Sequence, residues 1–521
     1  MADHPGSPRG SVRLSELMAA WSLAIDVGMA MPLETGLRVC SRAVRLAQRL
    51  GLDGPTQRRV YHLALLRHIG CTAENSALAA VVGDERAFRA GLGTRDPTSG
   101  RELLPYLVRI GVAARPARDR PAALLRMLTA PAVLAHAGAA VCEVARMLVD
   151  RLGFDPDLRE RLREDVTMVY ERADGKGFPN RLGAEAISLP AQLVHLAEAV
   201  TVHLQLDRPD GALRMLRERR GRAFRADVVD AFLGDAPALL SEPADPWEEV
   251  LGMEPGGAPV LASGGVDEVL VAIADFADLK SPFTAGHSRS VASLAGDAAA
   301  RAGLPAGEAD LLRRAGWLHD VGRISVSVAV WEKPGPLVRD EQEQVRLHAY
   351  VTERVFARSP WLAPVAALAG RHHERVDGSG YHRGQRGDAL SSAARILAAA
   401  DVYAALGADR PHRPALGQAQ AATELRAESR SGRLDAGAVD AVLAAAGHPA
   451  RRRPAAVAGL TAREIEVLVH LARGRSNPQI AAALVISRKT VEHHVESVYA
   501  KLGVHSRAAA TVQAMQFGLL A

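Results

Sequence analysis

Two stretches of this chain, 203 residues apart, share an unusual run of residues. VYERADGKGFPNRLGAEAISLPAQLVHLAEAV begins at Val169, and HHERVDGSGYHRGQRGDALSSAARILAAADVY begins at His372. Glu-Arg-x-Asp-Gly-x-Gly-aromatic recurs, and an apolar helical run follows each copy. Further upstream, LALLRHIG mirrors AGWLHDVG and MPLETGLRV mirrors SPFTAGHSR. A repeat on this scale constrains the fold more than local propensity does, because both copies have to bury the same pattern of apolar faces. The length of 521 residues suits about three domains, so the chain reads as two related domains and a tail.

The apolar residues recur with a helical period. LRVCSRAVRLAQRL puts Leu37, Cys40, Val44 and Leu50 near one face, with arginines on the other, and Gly51 stops the run. The run from Pro131 stops in the same way at Gly153. Strand-like alternation is scarce, which predicts an all-α protein. The first domain is placed at 12–240. Residues 241–266, dense in Pro and Gly, read as a linker, with Glu242, Asp245, Glu248 and Glu249 as a solvated acidic surface. The second domain spans 267–446. GHPARRRPAAVAG, with Arg451, Arg452 and Arg453, carries a second linker at 447–458; its charges either touch DNA phosphates or stay solvated. The tail is 459–521. No apolar run approaches the roughly 18 residues of a membrane span, and MADHPGSPRGSVRLSEL lacks the apolar core of a signal peptide. A cytoplasmic protein without membrane contact is expected. Cys40, Cys71 and Cys142 form no CxxC pair and are read as reduced structural thiols.

The second domain concentrates donor side chains. His287, His319, Asp320, His348, His372, His373 and Asp401 lie in an otherwise Ala- and Leu-rich run. Imidazole with carboxylate suits Fe, Mn, Zn or a similar ion. Seven donors exceed what one tetrahedral ion takes, which predicts a two-metal site.

The pieces PFTAGHSRSVASLA, LHDVGRI, LHAYVTERVF, HHERVDGSGYHRG and RILAAADVYAAL, over about 267–410, resemble the HD-GYP phosphohydrolases. The resemblance implies a helical bundle whose metals activate water against a phosphodiester, commonly cyclic di-GMP. Carried over by motif, His287, His319, Asp320 and Asp401 form one ligand set. His348, His372 and His373 complete a second, with Asp320 bridging. Two divalent ions are implied, Fe or Mn, with Zn or Mg as alternatives. Asp320 and Arg323 take the catalytic positions, and Arg323, Gly380 and Tyr381 face substrate. The chain departs from the family in four places. Arg323 replaces the usual Lys; it keeps the charge but cannot deliver a proton. His382 stands for the Pro of GYP, and Ala404 for the second Asp of DxxDAL. Phe283 stands where some members carry a Glu for a third metal, so two ions are expected. These departures leave a slow enzyme or a nucleotide sensor as one alternative, and a phosphodiesterase that its tail only localises as another.

The first domain then reads as a degenerate HD-GYP-like copy. Arg67 and His68 hold the positions of His319 and Asp320, Leu37 that of His287, and Val169 and Tyr170 those of the His pair. His136 aligns with His348, and Glu198 with Asp401. Two ligand-capable survivors cannot hold two metals, so a packing or dimerisation role without activity is expected.

In the tail, Thr461 and Glu464 make a capping box, and Gly474 ends the helix that follows. Asn477-Pro478 opens a short helix, Ser487 a third ending at Gly503, and Ser506 a fourth. The pieces LTAREIEVL, GRSNPQIAAALVISRKTVEHHV and KLGVHSR resemble the LuxR-type helix-turn-helix domain, which implies binding of double-stranded DNA as a homodimer. Residues 451–521 hold 10 Lys and Arg against 4 Asp and Glu, a net of +6, while the whole chain is +5. The basic excess is concentrated where phosphate contact requires it. Arg488, Lys489 and Thr490 are expected at phosphates. Val491 is expected either packed or at a thymine methyl, and Glu492, His493 and Glu496 on the base-reading face.

Overall fold

The structure, a computed structural model, describes residues 12–113, 120–127, 130–206, 209–257, 260–447 and 458–520. It is helical almost throughout. The strands among the described residues are two-residue pieces, Val12–Arg13 and Val260–Leu261, paired antiparallel. The chain divides into two compact units, with the division between Val269 and Leu270.

In the first unit, the helix Leu14–Gly28 is buried on nearly every side, with Trp21 fully enclosed. The helices Thr35–Arg49 and Gly54–Leu66 pack against it, and Leu189–Leu206 packs against those two. Asp53 caps the second of these by accepting from Thr56 N at 2.9 Å, with Pro55 in the first turn. Gly51 and Gly153 end their helices at φ +66°.

The stretch expected to be a linker is part of this unit. It forms the helix Pro246–Gly252, and Trp247 is buried. Trp247→Ala would cost about 3–5 kcal/mol on this packing. Its acidic residues are not simply solvated: Glu242 meets Arg38 and Arg42, and Glu249 meets Arg45. Arg42, expected on an exposed face, is itself buried and also donates to Leu239 O at 2.8 Å.

The second unit repeats the arrangement. His287–Arg301 and Ala306–Leu318 have the bounds of Thr35–Arg49 and Gly54–Leu66 shifted by 252 residues. Asp26 accepts from Gly36 N at 3.0 Å, and Asp278 from Ser288 N at 2.9 Å, at the same shift. Thr35, not Leu37, therefore stands where His287 stands. Gly70 and Gly322 also correspond. A Cβ on either would lie about 2 Å from a carbonyl oxygen, that of Val141 and of His348 respectively, so only glycine admits the crossing helix. Val141 is thus the counterpart of His348. His136, five residues away, is exposed. The first unit's extra helices, from Asn75–Val82 to Arg120–Met127, lie in this interval and account for the slipped register.

The tail forms four helices, Ala462–Ala472, Asn477–Leu484, Arg488–Leu502 and Arg507–Gln516. The capping box is present: Glu464 N donates to Thr461 Oγ1 at 3.3 Å and Thr461 N to Glu464 Oε2 at 2.7 Å. Arg451, Arg452, Arg453 and the opening segment MADHPGSPRGS lie outside the described residues.

Candidate metal centre

Five elements deliver the seven donors. His287 opens the helix His287–Arg301, and His319 and Asp320 follow the end of Ala306–Leu318. His348 comes from Arg339–Phe356, the His372-His373 pair from the turn after Ala363–Ala369, and Asp401 from Ser392–Leu406. They converge in two groups whose donor atoms all lie within 4.8 Å of one another. One is His287, His319, Asp320 and Asp401; the other is Asp320, His348, His372 and His373. Asp320 is common to both. Its Oδ2 is 3.1 Å from His319 Nε2 and 3.4 Å from His287 Nε2, while Oδ1 is 3.4 Å from Nε2 of both His348 and His372.

The imidazoles are oriented from behind. Nδ1 of His319 and His372 each meets the carbonyl three residues earlier, Gly316 O and Ala369 O, at 2.8 Å. His348 Nδ1 meets Val345 O in the same way. As Nδ1–H donors, these rings turn the Nε2 lone pair toward Asp320. Thr352 links the scaffold: its Oγ1 donates to His319 O and accepts from Gly322 N, both at 2.9 Å.

The donor set fits cations. His319 Nε2 and both Asp320 oxygens are buried, and their close contacts lack hydrogen-bond geometry. His348 Nε2 and His372 Nε2 face each other at 3.0 Å, a lone-pair arrangement that a shared cation relieves. Burial pushes the His372 imidazole down to about 4, which keeps it neutral and ligand-competent. For Asp320, burial is opposed and outweighed by Arg323 and His319, which hold the carboxyl well below its usual range.

Beside the donors is a cavity of about 310 Å³. His348, His373, Tyr381, Arg323 and Trp331 line it, together with Arg410 to Arg413. Arg323 lies over the Trp331 ring, 4.8 Å from its centroid, with Nε 2.9 Å from Asp320 Oδ2. Phe283 lines the cavity and brings no carboxylate, leaving the two groups found among the described residues. Gly380 is not among the residues lining this cavity. A Cβ there would lie 2.4 Å from Arg375 N, so glycine is needed to close the turn. Arg410 and Arg413 belong to none of the motifs named above. The signal was two arginines three residues apart, just beyond the helix that carries Asp401.

The corresponding place in the first unit holds a different solution. Arg67, fully buried, has its guanidinium 3.7 Å from Asp26 and 3.3 Å from Glu198. His68 Nε2 meets Glu198 at 2.5 Å and His68 Nδ1 meets the Tyr170 hydroxyl at 2.8 Å. Glu198 is thus in an ion-paired cluster, without His136.

On the tail's third helix, Arg488, Lys489, Thr490, His493 and Glu496 are exposed, and Glu492 is half-buried. Arg488 Nε pairs with Glu492 at 2.8 Å. Val491 does not reach the surface: it is 0% exposed, because its position in the helical period faces the core. It packs in the core of the tail, one of the two places expected for it.

Residues 272–437 match the family model described as HD domain, and residues 458–514 the model described as bacterial regulatory proteins, luxR family. The chain is 29% identical over 413 residues to 3′3′-cGAMP-specific phosphodiesterase 3 of Vibrio cholerae, covering 77% of this chain and 88% of that one. That match is longer than the whole second unit, so it includes part of the first. The cyclic di-GMP phosphodiesterase response regulator RpfG of Xanthomonas campestris is 35% identical over 179 residues, 34% of this chain and 47% of its own length. The crystal structure of the cyclic GMP-AMP specific phosphodiesterase V-cGAP3 of V. cholerae is similar with a TM-score of 0.58 at 25% identity, covering 84% of this chain and 99% of that chain. No described helix is long and apolar enough to cross a membrane. Residues 272–437 therefore form an HD domain and residues 458–514 a LuxR-family regulatory domain, and the relatives matched are cyclic-dinucleotide phosphodiesterases.

Proposed function

We propose that the protein hydrolyses a 3′3′-linked cyclic dinucleotide and that this ligand governs DNA binding by the tail. The observation that carries the reading is the pair of buried donor groups sharing Asp320, open to an arginine-lined cavity. His287, His319, Asp320 and Asp401 would hold one divalent ion, and Asp320, His348, His372 and His373 another, with Fe or Mn best suited to this mixture of nitrogen and oxygen donors. When bound, two such ions lower the pKa of water and neutralise charge on the phosphate. The chain's own residues position the ester. Arg323 and Arg410 offer fixed positive charge to the phosphate oxygens, and neither gives up a proton. Burial pushes the Tyr381 hydroxyl up, so it stays protonated and donates.

The named substrates of the relatives set the candidates: 3′3′-cGAMP for the relative with the longest match cited above, and cyclic di-GMP for the other. The test is to incubate the purified Mn- or Fe-loaded full chain with each ring and resolve the products. A linear dinucleotide or mononucleotide is expected from at least one; no product from either would refute the hydrolase reading. A sensor with slow turnover is the second reading, favoured by Arg323 lying against Asp320 rather than free.

For the tail, the proposal is binding of double-stranded DNA as a homodimer, in the cytoplasm. Its third helix lies in the major groove with Lys489 at phosphates and Glu496 reading cytosine amino groups. Lys489→Ala is expected to weaken binding to every sequence and reduce the salt slope by about 1. Glu496→Ala is expected to leave affinity near wild type and relax base preference; an unchanged motif in a binding-site selection would remove it from the reading face. Control by nucleotide requires reciprocity, so operator DNA must change the nucleotide's affinity by the same factor.

A further inference from the structure

The catalytic cavity does not end at Arg410. A second, open cavity of about 450 Å³ shares Phe283 and residues 410–413 with it and is bounded on its far side by Arg473, Gly474, Arg475 and Gln479 of the tail. Three contacts hold the tail here. Arg475 pairs with Asp409 at 3.2 Å. A Cβ on Gly474 would lie 2.4 Å from Pro282 Cβ, and one on Gly286, beside the ligand His287, would lie 2.9 Å from Leu520 Cβ. The tail is therefore seated against the two segments that flank the metal centre's mouth.

The charge in this cleft is one-sided. Arg410, Arg413, Arg473 and Arg475 line it, and Asp409 is the only carboxylate in the lining. Arg413 is spent on holding the loop, donating to the carbonyls of Ala405, Leu406 and Pro414 at 2.7 to 3.1 Å. The Arg410 side chain makes a single 3.3 Å bond, to Phe283 O. Arg473 is exposed to the cleft without an ion-pair partner among the described residues. A cyclic dinucleotide has two phosphodiesters on opposite sides of its ring, so when one is at the metal centre the other points away from it.

We propose that the LuxR-family tail completes the nucleotide cleft: Arg473 and Arg475, facing Arg410 and Arg413, form a second subsite for the phosphate not undergoing hydrolysis. The proposal rests on the cyclic dinucleotide reading above. It makes the tail a determinant of substrate choice, favouring ligands with two phosphates over single esters. It also couples ligand to tail by direct contact, because the bound ring touches both domains.

The test uses the full-length, Mn-loaded protein and its Arg473→Ala and Arg473→Glu variants. KM is measured for 3′3′-cGAMP, for cyclic di-GMP, and for bis(p-nitrophenyl) phosphate, which has one phosphodiester. Arg473 gives up no ion pair on substitution, and circular dichroism checks that the fold is kept. The KM for the ring that is turned over is expected to rise about tenfold in Arg473→Ala and further in Arg473→Glu, the loss of a charged phosphate contact. The KM for the small ester is expected to move far less. Hydrolysis of a ring by wild type with unaltered KM in both variants, or equal shifts for ring and small ester, would overturn the subsite alone. Failure of wild type to hydrolyse either ring would remove the functional reading and the subsite with it.

Discussion

The two HD-type bundles differ at the place where they should be most alike. Both keep a buried Asp accepting a backbone N–H at a helix start, Asp26 and Asp278. Both keep a glycine under the crossing helix, Gly70 and Gly322. Both keep a Glu that ties the Glu-Arg-x-Asp-Gly turn. Glu171 accepts from Asn180 N and Leu182 N, and Glu374 from Arg383 N and Gln385 N, at 2.7 to 2.9 Å. What survives in the degenerate copy is therefore what the fold requires. What is lost is the ligand set, and a permanent guanidinium, that of Arg67, occupies the centre between Asp26 and Glu198. The sequence motif most visible as a repeat is a structural turn, and its presence does not report activity.

This comparison can be broken first at Asp320. Asp320→Ala is expected to abolish tight metal binding at both groups, since its two oxygens serve different ones, and to reduce phosphodiesterase activity by a factor on the order of 1,000 or more. Elemental analysis that finds two ions retained would show that the carboxylate is not shared.

The second break is in the other bundle. Arg67→Ala leaves Asp26 and Glu198 buried with less counter-charge, which is expected to cost about 3–5 kcal/mol in denaturant unfolding. A loss below about 1 kcal/mol would mean that water already screens the cluster.

A smaller effect separates the bundles by pH. His62 is fully buried, packed edge-on against Phe154, and burial together with Arg58 pushes its imidazole down to about 3. A depressed folded pKa means that its contribution is complete above the ordinary value near 6.5 and lost as pH falls toward 3. Between pH 7 and pH 5 the first bundle is expected to lose about 2 kcal/mol on this account. Arg314 holds the corresponding position in the second bundle, so this contribution is absent at that position there, where His372 carries its own depressed imidazole. His62→Leu should flatten the acid side of the stability profile; an unchanged profile would place the acid sensitivity elsewhere.

Much of the second site was legible in the sequence because each of its ligands is a side chain with distinctive chemistry at a fixed place in a motif. The tail was legible because its caps are local: Thr461 with Glu464, and Ser487 with Thr490, act within one turn. The register of the first copy was not. Gly70 to Val141 spans 71 residues and Gly322 to His348 spans 26, so matching histidine to histidine landed on His136. The segment around Trp247 was misread because its order comes from partners some 200 residues away, Arg38, Arg42 and Arg45. Composition alone does not reveal such partners.

The guanidinium of Arg67 has a consequence for how the protein answers to metal supply. A bound ion stabilises the native state in proportion to the logarithm of its free concentration above the dissociation constant, about 1.4 kcal/mol for each tenfold. On the proposed reading, the second bundle is subject to that linkage through its seven donors, and the Arg67 cluster is not, because its cation is covalently part of the chain. Chelation therefore lowers the stability of the catalytic bundle while the Arg67 cluster keeps its own charge balance.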